Sequence, residues 1–133
     1  MNSARPLAVV TGASAGIGAA AAAGLSSAGF DLVLGARRLD RLEAVAAPLG
    51  ASARVLDVAD PESVAAFCAG VERCDLLVNN AGFAAGMDRV EATREGDWEA
   101  MFATNVLGVL RMTRALLPRL REAGGQILNV GST

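Results

Sequence analysis

The chain has 133 residues, 53% of them hydrophobic and 20% charged, with a net charge of −2. That length fits one domain, 1–133, and the composition excludes a disordered polymer. The slight negative charge, without any run of basic residues, excludes a nucleic-acid partner and a polybasic membrane contact. The small apolar start resembles a signal peptide, but glycines and hydroxyl residues interrupt the apolar core such a peptide needs. No stretch reaches the roughly 18 uninterrupted apolar residues of a membrane span. Cys68 and Cys74 match no zinc spacing and have no His to join them, so no metal site is expected. Buried, reduced thiols and a cytoplasmic location are the expectation. All 12 basic residues are Arg; the chain has no Lys, Tyr or His, three of the commonest proton-transfer side chains.

In chain order the pattern alternates strand and helix. Leu7 to Thr11 reads as a first strand and Gly16 to Ala28 as a helix of small residues ending at Gly29. Asp31 to Gly35 is a second strand, apolar on both faces. Leu39 to Leu49 is a helix with an inner stripe of Leu39, Leu42, Val45, Ala46 and Leu49. Ala53 to Leu56 is a short strand. Asp60 caps a helix with Pro61 at its first position, and Val64, Phe67, Cys68 and Val71 on that segment are apolar. Asp75 to Asn79 is a fourth strand. A looser segment leads to one long helix from Asp97 to about Leu120, with a kink or early end expected at Pro118. Gln126 to Val130 is a fifth strand. Right-handed β-α units of this kind build an α/β, doubly wound parallel sheet of order 3-2-1-4-5, with ligands outside the C-terminal strand ends.

The stretch Val9 to Gly18, V-V-T-G-A-S-A-G-I-G, carries the chemistry. A strand ending in a tight turn needs a residue without Cβ. A helix N-terminus meeting a pyrophosphate needs bare backbone and unpaired N–H groups. Thr11, Gly12, Ser14, Ala15, Gly16, Ile17 and Gly18 are therefore the candidate phosphate turn. T-G-x3-G-I-G resembles the cofactor turn of the short-chain dehydrogenase/reductase family, and N-N-A-G at Asn79 to Gly82, roughly 60 residues on, resembles its second motif. The resemblance spans all 133 residues but only the family's front half. It implies a Rossmann-type sheet, truncated after the fifth strand, and an oxidoreductase that interconverts a hydroxyl and a carbonyl by hydride transfer.

After the second strand, an acidic residue would bind the ribose hydroxyls of NAD. Ala36 stands there instead, followed by Arg37 and Arg38, whose guanidinium groups suit a 2′-phosphate. NADP is thus implied over NAD. The resemblance further implies an adenine contact from Asp57 and Val58 and a structural strap at Asn80. Ala81 and Gly82 leave room for the nicotinamide ribose. It also implies that Asn105 turns helical hydrogen bonding aside to hold a water of the proton relay. Ser132, in N-V-G-S, is implied to hold the substrate oxygen. The family's Tyr-x-x-x-Lys pair belongs roughly a dozen residues after that serine, and no Tyr or Lys exists in the chain to replace it. The 133 residues alone are therefore expected to turn over little or nothing.

G-A-R-R-L-D-R-L-E and N-V-G-S resemble family members acting on small alcohols, ketones or hydroxy acids. The fifth strand is expected to be an open sheet edge and the long helix to lie uncovered, which points to a homo-oligomer. Two other readings stand beside the enzyme. One is a non-catalytic NADP-binding module that senses the nucleotide through a protein partner. The other is a methyltransferase-like domain using S-adenosylmethionine, against which Arg37 and N-N-A-G argue.

Overall fold

The computed structural model describes residues 5–86 and 88–132. Five parallel strands, β1 (Leu7–Thr11), β2 (Asp31–Ala36), β3 (Ser52–Val55), β4 (Leu76–Asn79) and β5 (Gln126–Asn129), form one sheet in the order β3-β2-β1-β4-β5. Helices α1 (Gly16–Ser27), α2 (Leu39–Ala46), α3 (Pro61–Ala69), α4 (Glu95–Phe102) and α5 (Gly108–Ala123) connect them. The expected fold and strand order are both present.

Alternation along the strands divides the core into two layers. Ala8, Val10, Leu32, Leu34 and Val78 pack with Ala22 of α1 and with Leu42 and Ala46 of α2. Val9, Val33 and Leu77 face the other way, against Val64 and Phe67 of α3 and Met112, Leu116 and Leu120 of α5. Asp60 caps α3 by accepting the Glu62 N–H at 3.0 Å, and Pro61 takes the first turn. Both cysteines are free thiols; Cys74 is buried and Cys68 only half-buried. Burial is the main cause that pushes each pKa up to about 11.

Three details depart from the sequence expectations. The helix expected over Leu39 to Leu49 is α2 followed by a 3₁₀ turn, Ala47–Leu49. Pro48 has no N–H to continue the α ladder, and its ring crowds the carbonyl four residues back. The long helix is two, α4 and α5, joined by a π turn over Ala103–Leu107. The helix also does not stop early at Pro118; α5 runs on to Ala123, and Gly124 ends it at φ 62°. The carbonyl that Pro118 leaves unpaired belongs to Arg114, and both residues are exposed, so water can satisfy it.

Candidate functional site

Outside the C-terminal ends of the strands lies a cleft of about 900 Å³. Its floor is the turn between β1 and α1, where Gly12 has φ 62° and Gly16 φ 56°. A Cβ on Gly12 would fall 2.9 Å from the Ala81 Cα, so the two turns touch only because Gly12 has none. Gly16 has open space where a side chain would stand, and it borders the cleft. Ala15 is the N-cap of α1 and provides no side-chain cap, leaving the first-turn amides without an intrahelical partner. Bare backbone, free volume and a helix N-terminus fit a diphosphate.

Not every residue of the glycine motif faces that space. Thr11 and Gly18 do not line the cleft; they build the wall behind it. Thr11 is buried, and its Oγ1 accepts the N–H groups of Asn80 (3.0 Å) and Ala81 (2.9 Å) while its hydroxyl donates to the Val78 carbonyl at 3.4 Å. A Cβ on Gly18 would collide with the Gly12 carbonyl and come within 2.5 Å of the Asn80 Nδ2. Asn80 borders the cleft and straps the two turns, its Nδ2 donating to the carbonyls of Thr11 (3.2 Å) and Gly12 (3.1 Å).

At one end of the cleft Arg37, Arg38 and Arg41 line the opening, with Ala36 buried beside them. Arg38 has only a loose, exposed contact with Asp40, 4.0 Å apart. Sequence reasoning points to Arg37 and Arg38 alone; Arg41 joins them from the first turn of α2, three residues after the N-cap Arg38. Across from the arginines, Asp57 forms a tight turn. Its Oδ1 accepts the Ala59 N–H at 3.0 Å, and its own N–H donates to the Ser63 Oγ at 2.9 Å. Val58 is buried, and both residues border the cleft.

The opposite end brings together Ala81, Gly82, Phe83, Asn105 and Ser132. The Asn105 amide is committed to Phe83: Oδ1 accepts the Phe83 N–H at 3.0 Å, and Nδ2 donates to the Phe83 carbonyl at 2.8 Å. The π turn around it does divert the helical ladder, but the side chain anchors the loop after N-N-A-G. Ser132 reaches the cleft because the Val130 N–H continues the sheet, donating to the Asn79 carbonyl at 3.0 Å. Asn79 itself is buried; its Nδ2 donates to Asn129 Oδ1 (2.9 Å) and Thr113 Oγ1 (3.2 Å).

The profile of short chain dehydrogenases matches residues 6–133. The chain belongs to this family. It is 43% identical over 133 residues to a sulfoacetaldehyde reductase of Chromohalobacter salexigens, covering 92% of this chain and 53% of that one. It is 39% identical over 132 residues to an NADP-dependent 3-hydroxy acid dehydrogenase of Salmonella typhi, covering 94% and 53%. Among solved structures, a metagenomic short-chain oxidoreductase in complex with NADP superimposes with a TM-score of 0.90 at 37% identity. That match covers 96% of this chain and 62% of the other. The chain thus spans about half the length of the curated relatives it matches.

Proposed function

We propose that these residues are the nucleotide-binding portion of an NADP-dependent oxidoreductase that interconverts a hydroxyl and a carbonyl on a small alcohol, ketone or hydroxy acid. The observation that carries the reading is that Arg37, Arg38 and Arg41 line the cleft together with Ala36. An acidic side chain there would accept from ribose hydroxyls; three guanidinium groups without one suit a phosphate dianion. NADP, when bound, supplies or accepts the hydride. The amides of Ala15 to Ile17 then face the diphosphate, Asp57 and Val58 receive the adenine, and Ala81 and Gly82 leave space for the second ribose. Asn105 holds the Phe83 segment in place, and Ser132 orients the substrate oxygen. A serine hydroxyl is a poor acid at neutral pH, and the sequence holds no Tyr, Lys or His. These 133 residues therefore bind nucleotide without appreciable turnover.

Fluorescence titration with NADPH and NADH tests the reading. NADPH should bind more tightly, and Arg37→Ala should weaken it about ten- to a hundredfold, the range for a charge-assisted hydrogen bond, with NADH little changed. Folded protein that binds neither nucleotide overturns the proposal. An Arg37→Ala variant that keeps its full NADPH preference overturns the assignment of the 2′-phosphate to that residue.

A further inference from the structure

Arg111 lies in the first turn of α5, half-buried, and its Nη1 donates to three backbone carbonyls: Val58 (3.3 Å), Ala59 (3.3 Å) and Ala103 (3.4 Å). Among the described residues it has no carboxylate within ion-pair distance. The first two carbonyls belong to the turn that presents Asp57 and Val58 to the cleft. The third opens the π turn, which places Thr104 and Asn105 on the cleft wall.

Two successive peptide groups of the Asp57 turn are thereby held at both ends. The Val58–Ala59 peptide donates its N–H to Asp57 Oδ1 and accepts from Arg111. The Ala59–Asp60 peptide donates its N–H to the Asp57 carbonyl at 3.1 Å and accepts from the same guanidinium. Because a peptide is planar, fixing the carbonyl direction fixes the N–H direction. Arg111 therefore holds both amides against Asp57, one on its carboxylate and one on its backbone carbonyl. Packing makes the same connection independently. A Cβ on Gly108 would lie 2.6 Å from the Val58 Cγ2, so the start of α5 meets Val58 flush.

We propose that Arg111 is a positioning residue that joins the Asp57 turn to the π turn and so sets the spacing between the two ends of the nucleotide cleft. This rests on the NADP reading above. One nitrogen shared among three acceptors at these distances is a clamp of weak bonds, so the effect is moderate.

The test uses Arg111→Met, which keeps the length of the stem without donors, and Arg111→Lys, which keeps a charge and three donors on one nitrogen but places them one bond short of the Nη1 position. NADPH dissociation constants are measured for both, alone and combined with Asp57→Ala or with Arg37→Ala, alongside thermal melting. Arg111→Met should weaken NADPH roughly three- to tenfold, with Arg111→Lys in between. Its effect should largely overlap that of Asp57→Ala, because the two act on one turn, and multiply with that of Arg37→Ala, which lies elsewhere. A lowered melting temperature with unchanged NADPH affinity marks a purely structural residue and overturns the proposal. So does full multiplication with Asp57→Ala. Should Arg111→Met fail to fold, an Arg111→Gln variant, whose amide is too short to reach the three carbonyls, overturns it by keeping parental affinity. Parental protein that does not bind NADPH defeats the underlying reading; parental protein that binds, with both variants equal to it, defeats only the role of Arg111.

Discussion

Strands β2 and β5 are both short, carry apolar residues at their centres and run parallel to their neighbours, yet they live in opposite environments. Five of the six residues of β2 are buried, whereas all four of β5 are exposed. The difference lies in what surrounds them. β2 has a strand on each side, α1 and α2 over one face and the α3 layer over the other. Among the described residues, β5 has β4 alone as a strand neighbour. The same asymmetry runs along the adjoining helices, where Trp98, Phe102, Val106 and Leu110 recur every fourth residue and are all exposed, Trp98 by 59%. Apolar sequence therefore signals a surface that must be covered, without saying that these 133 residues cover it.

The contrast can be broken from its buried end. Leu34→Ala in β2, where the side chain is fully enclosed, should cost about 2–5 kcal/mol in denaturant unfolding. A cost near zero would mean that the β2 side is no better packed than β5.

A second probe is the α3–α5 layer between the two regions, where the Cys68 Sγ lies 3.9 Å from the Met112 Sδ. Both thiols, Cys68 and Cys74, have pKa values raised from 9.0 to about 11, chiefly by burial. Between those values the unfolded chain has released protons that the folded chain keeps, so fewer protons are bound in the unfolded state and stability falls as pH rises. Unfolding followed across pH 8 to 11 should show a decline that a Cys68→Ala, Cys74→Ala variant lacks.

The smallest effect on stability is expected at the open end. Leu128→Asp should change the unfolding free energy by no more than about 0.5 kcal/mol, because Leu128 is already exposed. It should also reduce concentration-dependent self-association in sedimentation velocity. A large loss of stability there would show that β5 is covered after all.

Much of this arrangement was legible in the sequence because it depends on local rules. The turn at Gly12 requires a positive φ, the Asp60–Pro61 start of α3 requires a cap, and strand–helix alternation leaves few topologies to choose among. The family resemblance implied a diverted ladder at Asn105, but not that the long helix divides there into α4 and α5. The ladder slips where Asn105 reaches the backbone of Phe83 and where Gly108 meets Val58, and both are tertiary contacts. Thr11 and Gly18 belong to the motif by spacing, but their work is to hold the wall, which only the hydrogen-bond geometry reveals. Arg111 resembles any arginine on a helix until its three acceptors, from segments far apart in the chain, are seen to converge.

The Thr11 hydroxyl has a mechanical implication. One oxygen bridges the end of β1 to two successive amides after β4 and to the Val78 carbonyl, so the two loops that frame the cleft behave as a single rigid body. Opening the seam between them would break all three of these hydrogen bonds. The exposed Ile17 and Phe83 side chains border the cleft that this seam closes from behind.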